Sequence, residues 1–194
     1  MDEALRQELI AMRAEDLRVR EELLQSGELG EGYAPPMEAV HRRNAARLGE
    51  IIAKHGWPDT ELAGADGTLS AWFIVQHAIS EPDFQRHALR LVQEKVRQGK
   101  VPAAQEAYLF DRIAMYEGRP QRYGTQSLLC ADGQYRRWKT EDSEHLNERR
   151  IAIGMPPVED DPVETEPTPD ALAEYVKWLR GYEEWLRNTG WRSG

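Results

Sequence analysis

The centre of the fold is decided by a short, almost entirely apolar stretch, Ala71-Trp72-Phe73-Ile74-Val75, which is followed at once by Gln76-His77. Together with Leu69 and Ile79, this stretch would be apolar around its whole circumference if it formed a helix. Helices of that kind lie in protein interiors, so the sequence predicts a buried central helix over roughly 69–79. The polar side chains of Gln76 and His77 then need partners, which makes both of them candidate site residues.

Further helices are predicted on both sides of the central one. Periodic apolar residues, with Gly or Pro near the ends, indicate helices over roughly 2–26, 35–55, 81–98, 102–117, 143–153 and 169–188. Residues 60–67 are rich in turn-forming residues and are expected to form a loop, and Asp132-Gly133 indicates the turn of a β-hairpin. We therefore expect a mainly α protein, a compact helical domain of five or six helices with one small β-hairpin and a tethered C-terminal helix.

Proline and charge divide the sequence into three parts. We expect a helical domain over 1–155, an acidic, proline-rich linker over 156–168 that is disordered or extended, and a C-terminal amphipathic helix over 169–190. The last part carries an apolar stripe and two tryptophans, Trp178 and Trp185, with Trp191 directly after it, so it either folds back on its own domain or binds a protein partner. Folding back is the expected arrangement, because an exposed stripe of that size promotes aggregation.

Net charge and cysteine usage limit the function classes. The 194 residues carry a net charge of −9, so binding to nucleic acid is not expected, although a local basic cluster leaves room for one small anionic ligand. No apolar run approaches the ~20 residues that cross a bilayer, so we expect no membrane association. The single cysteine, Cys130, argues for a reducing compartment and a cytoplasmic location. The sequence leaves the oligomeric state open.

A polar segment after the fifth predicted helix is the main candidate site. Asp111-Arg112 stands near the end of that helix, and a loop with amide, phenol and hydroxyl side chains follows. Such groups at fixed positions suit a pocket for a small polar ligand, while the alternative is an ordered loop whose side chains cap nearby backbone. The predicted ligand-binding residues are Gln76, Gln121, Tyr123, Thr125 and Gln126.

His77 is the strongest candidate for chemistry, since a neutral imidazole both donates and accepts protons near pH 7. In the catalytic interpretation His77 moves a proton, Asp111 orients it, and Arg112 binds developing negative charge. In the structural interpretation His77 is a buried histidine satisfied by a carbonyl group or by Asp111, and Asp111-Arg112 is an ion pair that fixes helix packing.

No metal and no cofactor are expected from the motifs. His77 and His87 are ten residues apart, His41 and His55 are fourteen apart, and no His-Glu-x-x-His motif, cysteine pair, P-loop or dinucleotide fingerprint occurs. Three acidic residues of the first two helices are expected on solvated faces, and these are Glu15, Asp16 and Glu50. Asn44 interrupts an apolar stripe, and we expect it to bond a neighbouring backbone carbonyl rather than a ligand.

Several ordered motifs resemble a bacterial family known only as a domain of unknown function. They include Gly56-Trp57-Pro58, Val75-Gln76-His77-Ala78, Asp111-Arg112-Ile113, and the run Gln121-x-Tyr123-Gly124-Thr125-Gln126. The resemblance covers roughly residues 1–158 and leaves out the acidic linker and the terminal helix. It implies one domain with one polar site, and it implies no particular reaction.

The sequence thus favours a cytosolic protein with a polar pocket around His77, Asp111, Arg112 and Gln126. If the protein is an enzyme, hydrolysis or group transfer on a small polar molecule fits these residues best. The alternative is a non-catalytic acidic interaction protein, an immunity or regulatory factor, that uses its aromatic C-terminal helix.

Overall fold

The computed structural model describes residues 1–28, 33–163 and 165–193. Within these residues the chain forms seven α-helices and one antiparallel two-stranded hairpin, which confirms the predicted mainly α fold and its C-terminal helix. The helices are α1 (Glu3–Ser26), α2 (Pro35–His55), α3 (Thr60–His77), α4 (Pro82–Arg97), α5 (Ala103–Tyr116), α6 (Leu146–Ala152) and α7 (Pro169–Asn188), and the strands are β1 (Ser127–Leu129) and β2 (Tyr135–Arg137). The chain divides into two compact units, Met1–Glu106 and Ala107–Gly194.

The first unit is built around the contact between α1 and α3, with α2 packed against both. The apolar stripes predicted from the sequence meet in its interior, where Leu9, Leu48 and Ile74 have almost no exposed surface. Burying one such side chain is worth about 1.5–3 kcal/mol, so these residues hold the three helices together. The functional side chains described below lie on the facing surfaces of these three helices.

Helix α3 starts earlier than the sequence predicts. Residues 60–67 were expected to form a loop, but Thr60 is already the first residue of the helix, because the carboxylate of Asp59 accepts hydrogen bonds from the backbone N–H groups of Glu61 and Leu62. Gly64 interrupts this first turn with a φ of 69°, a left-handed conformation that favours glycine. The turn-forming residues therefore make a cap and a kink rather than a loop.

The hairpin and the chain that follows α6 belong to the second unit. Leu128 pairs with Arg136 across the antiparallel strands, and Gly133 occupies the turn with a φ of 78°, as the Asp-Gly pattern predicts. The described residues of 156–168 form neither helix nor strand, and residue 164 lies outside them. Arg136 donates hydrogen bonds to the carbonyl groups of Pro162 and Val163, so this segment runs along the hairpin.

The C-terminal end of α7 packs against the end of α5 within the second unit. Leu186 is fully buried, and the ring of Tyr116 lies 5.4 Å from that of Trp185 and 5.0 Å from that of Trp191, measured between centroids. The side chain of Arg192 donates a 2.8 Å hydrogen bond to the carbonyl of Tyr116. Across the described ranges, no helix combines the length and apolar character that a bilayer crossing requires.

Candidate functional site

Three helices of the first unit bring Asp16, His41 and His77 together. Asp16 lies in the middle of α1, His41 in the first half of α2, and His77 at the last position of α3. One ligand atom from each side chain lies within 4.8 Å of the other two. The sequence predicts a site role for His77, gives no metal-ligand spacing for His41, and predicts Asp16 on a solvated face.

The prediction for Asp16 is wrong, because its side chain is only 1% exposed. Its neighbour Glu15 is 42% exposed and pairs with Arg43, as expected for a carboxylate on a solvated face. Asp16 instead follows the buried positions Leu5 and Leu9 along α1 and precedes the buried Leu23. A carboxylate in an apolar stripe needs charged or hydrogen-bonding partners, and the two histidines supply them.

The carboxylate of Asp16 contacts both imidazole rings. His77 Nδ1 lies 3.0 Å from Oδ1 and 3.1 Å from Oδ2 of Asp16, a hydrogen-bonded arrangement. His41 Nε2 lies 3.0 Å from Asp16 Oδ2, but it makes no hydrogen bond of acceptable geometry within the described part of the chain. The side chain of His41 is 9% exposed and that of His77 is 25% exposed, so His77 forms the solvent-facing edge of the cluster.

The other ring nitrogen of His41 is held by a tyrosine. The hydroxyl of Tyr33 lies 2.5 Å from His41 Nδ1, and the two rings stack with their centroids 5.6 Å apart. A partner on one imidazole nitrogen fixes the ring orientation, and the Tyr33 hydroxyl, which both donates and accepts, is compatible with either tautomer of His41. The second nitrogen here is Nε2, which faces Asp16.

A row of three aromatic rings leads from His41 on α2, through His77, to Phe73 on α3, and an arginine of α1 lies beside the last ring. The centroids of His41 and His77 are 5.0 Å apart, and those of His77 and Phe73 are 4.0 Å apart. The guanidinium carbon of Arg13 lies 5.4 Å from the centroid of Phe73. Arg13 and Asp16 are three residues apart on α1, so both side chains project from the same face of the helix.

The charge state of Asp16 follows from these contacts. Burial by itself would raise the pKa of the Asp16 carboxyl, but the neighbouring imidazoles of His41 and His77 outweigh burial and lower the pKa to about 2. Asp16 is therefore a fixed negative charge at neutral pH, placed between two imidazoles in a mostly dry environment.

Asn44 and Gln76 lie beside the cluster and are both buried. The Nδ2 atom of Asn44 donates a 3.2 Å hydrogen bond to the carbonyl of Met12, which agrees with the backbone contact expected from the sequence. This bond joins α2 to α1 about one turn before Asp16, and His41 precedes Asn44 by nearly one turn of α2. Asn44 therefore helps to hold the helix that carries His41 in register with the helix that carries Asp16.

The carboxylate that contacts His77 is thus Asp16, and not Asp111 as the sequence predicts. The oxygens of Asp111, which is fully buried in the second unit, accept hydrogen bonds from the backbone N–H groups of Arg122, Tyr123 and Thr125 and from the Thr125 hydroxyl. Burial raises the pKa of Asp111 above its usual value, although these bonds favour the ionised form. The contacts are those of a carboxylate that organises a loop.

The remaining predicted ligand-binding residues of the second unit belong to the same loop. The side-chain nitrogen of Gln121, Nε2, donates hydrogen bonds to the backbone carbonyls of Gln126 and Trp138. Its side-chain oxygen, Oε1, accepts a hydrogen bond from the backbone N–H of Gln126. Arg112 Nε donates to the side-chain oxygen of Gln126 over 3.3 Å. The structure thus brings Asp111, Arg112, Gln121, Tyr123, Thr125 and Gln126 together in one network, and a ligand-binding role for them stays a prediction.

The fold and the cluster define a mainly α-helical protein in which a buried carboxylate contacts one buried and one partly exposed histidine. Comparison with known families is consistent with the resemblance seen in the sequence: the profile of DUF6624, a family of unknown function, matches residues 3–166. The chain belongs to this family, and α7 lies beyond the matched residues. No curated protein and no solved structure matches the chain.

Proposed function

We propose that the protein is an enzyme that carries out hydrolysis or group transfer on a small anionic molecule, with the Asp16–His41–His77 cluster as its reacting centre. One observation carries the proposal: three titratable side chains from three different helices converge in a nearly dry environment and reach solvent at His77. The pKa of Asp16 is lowered by its two imidazole neighbours, and carboxyl groups perturbed by specific partners are more frequent at catalytic sites than elsewhere in proteins. The cluster would activate the attacking water or hydroxyl group.

The anionic character of the substrate is inferred from Arg13. Its guanidinium lies over Phe73, whose ring contacts that of His77, so a permanent positive charge stands next to the cluster. The Arg13 side chain is half-buried beside the cluster. A guanidinium donates two parallel hydrogen bonds to a carboxylate or phosphate, so Arg13 would bind an anionic substrate at this position.

The experiment assays the purified full-length protein with chromogenic esters, namely a phosphate monoester, a phosphate diester, a dicarboxylate monoester and a neutral acetate ester. We expect turnover of an anionic ester, and we expect Asp16→Asn and His77→Gln each to lower kcat/KM by about 100-fold or more. Arg13→Gln should raise KM for the anionic ester and leave the rate with the neutral ester unchanged. His87→Ala, at an exposed histidine of α4, is the matched control and should retain full turnover.

Circular dichroism of each variant separates loss of chemistry from loss of folding. The proposal is contradicted if none of the esters is turned over, or if turnover survives both Asp16→Asn and His77→Gln. Equal rates for anionic and neutral esters would contradict only the role assigned to Arg13 and not the role of the cluster.

A second candidate function is a non-catalytic interaction protein, and one feature of α7 favours it. Leu172 and Val176, in the N-terminal half of this helix, expose large apolar side chains. An acidic chain with such a surface suits a basic partner. A partner that binds the native protein and the Asp16→Asn variant, but not the Leu172→Asp variant, would support this function over the enzymatic one.

A further inference from the structure

We propose that Asp16, His41 and His77 bind one divalent transition-metal ion of the zinc type. The chemical role of the ion, activation of a water molecule, rests on the proposed function, whereas the binding of the ion does not. Each residue contributes one ligand atom: a carboxylate oxygen of Asp16, Nε2 of His41 and Nδ1 of His77.

The spacing of the three atoms agrees with such a site. Zinc lies about 2.0–2.2 Å from imidazole nitrogen and carboxylate oxygen, so two of its ligands in a tetrahedral site are separated by about 3.3–3.6 Å. The Oδ2 atom of Asp16 lies 3.0 Å from Nε2 of His41 and 3.1 Å from Nδ1 of His77, a few tenths of an ångström closer than bound zinc would hold them. All three atoms fall within 4.8 Å of one another, so a modest rotation of one ring would complete the geometry.

The contact between His41 and Asp16 points to a cation more directly. If His41 Nδ1 donates its hydrogen to the hydroxyl oxygen of Tyr33, then Nε2 carries a lone pair and no hydrogen. Nε2 and Asp16 Oδ2 are then two electron-rich atoms 3.0 Å apart, and the approach lacks hydrogen-bond geometry. Such a pair needs a positive charge between its two atoms: a proton on Nε2 supplies it in the metal-free protein, as in the ion pair with Asp16, and a bound metal ion would replace that proton.

Tyr33 fits the role of an outer partner, meaning the group that hydrogen-bonds the imidazole nitrogen that does not bind the metal. Metal-ligating imidazoles almost always place their second nitrogen in a hydrogen bond that fixes the tautomer. His41 meets this condition through Tyr33, in addition to its approach to Asp16.

The ligand set selects the class of ion and its use. Mg²⁺ and Ca²⁺ prefer oxygen ligands, whereas two imidazoles with one carboxylate suit zinc and neighbouring first-row ions. Structural zinc sites have four protein ligands, while catalytic sites keep a position open for water. Three ligands with His77 at the solvent edge match the catalytic type.

In hydrolysis, a bound water loses a proton to solvent, its oxygen bonds to the electrophilic centre of the substrate, and the leaving group departs with the bonding electrons and takes up a proton.

The test uses the full-length protein after chelator treatment and dialysis, with Zn²⁺ added alone and its binding followed by calorimetry. We expect one equivalent of Zn²⁺ to bind, and His41→Gln and His77→Gln each to weaken binding by at least about 100-fold. Tyr33→Phe should weaken binding by about 10–100-fold, because it removes the outer partner and no ligand. Co²⁺ bound at the same site should give a visible absorption spectrum that Zn²⁺ abolishes.

His55→Ala and His87→Ala are the matched controls, since both histidines are exposed and lie outside the cluster. They should bind Zn²⁺ as the native protein does, and circular dichroism should show that all variants remain folded. Failure of the native protein to bind Zn²⁺ stoichiometrically, or equal binding by the ligand variants and the controls, overturns the proposal. Metal binding without turnover contradicts only the proposed function, and turnover by protein that binds no metal contradicts only the metal site.

Discussion

Asp16 and His77 are 61 residues apart in the sequence, yet His77 Nδ1 lies 3.0 Å from one oxygen of Asp16 and 3.1 Å from the other. This contact joins the middle of α1 to the last residue of α3. It therefore connects the largest helix–helix interface of the first unit to the candidate site, so that the packing of these helices determines the geometry of the reacting groups.

We predict that Asp16→Asn destabilises the protein by about 2 kcal/mol, because an amide cannot replace a buried, charged acceptor between two imidazoles. The measurement is urea unfolding at pH 7. Glu15→Gln, on the same helix, is the matched control and should cost less than about 1 kcal/mol, because Glu15 is solvated and its ion pair with Arg43 is screened. Similar losses in the two variants would contradict the assigned role of Asp16.

The stabilisation by Asp16 should depend on pH. The pKa of this carboxyl is about 3.9 in an unfolded chain and about 2 in the folded protein. Because the folded pKa is lowered, the stabilisation is fully present above about pH 5 and is lost as the pH falls towards 2. The difference in unfolding free energy between the native protein and Asp16→Asn should therefore fall by roughly half between pH 5.5 and pH 3. A difference that stays constant over this range would contradict the lowered pKa.

Much of the fold follows from local patterns. Apolar periodicity with Pro and Gly at the ends predicts most of the helices, because helix boundaries depend on neighbouring residues. The Asp132-Gly133 pair predicts the hairpin turn for the same reason. The start of α3 does not follow from the sequence, because the turn-forming residues of 60–67 predict a loop, whereas the carboxylate of Asp59 caps the helix and Gly64 forms a kink within it.

The candidate site was harder to predict, because its residues come from three helices. Spacing motifs detect ligands that lie on one helix or strand. Asp16, His41 and His77 lie on three different helices, so no such motif links them. One local signal was present: Leu9, Asp16 and Leu23 recur every seven residues, so Asp16 occupies an apolar stripe where a carboxylate is costly. Its partners, however, depend on how α1, α2 and α3 pack, which periodicity does not determine.

We predict that Asp111 has mainly a structural role. Asp111→Asn should destabilise the protein by about 3 kcal/mol, because the amide would present N–H groups to backbone N–H groups that now donate to the carboxylate. Thr125→Val, which removes only the hydroxyl donor, should cost about 1 kcal/mol, and Thr125→Ser, which keeps the hydroxyl, less than that. Urea unfolding measures all three variants. An Asp111→Asn variant of native stability that has lost turnover would instead support the catalytic role expected from the sequence.

The two ends of α7 should differ in their contribution to stability. Leu186 is 0% exposed and lies next to Trp185, whose ring contacts Tyr116, so Leu186→Ala leaves a cavity and should cost about 2–5 kcal/mol. Leu172, at the other end of the helix, is 45% exposed, and Leu172→Ala should change stability by less than about 0.5 kcal/mol. Both variants make the same side-chain change on the same helix, so they differ chiefly in packing. Urea unfolding followed by tryptophan fluorescence measures the difference, and equal effects would show that the C-terminal end of α7 does not pack on α5 in solution.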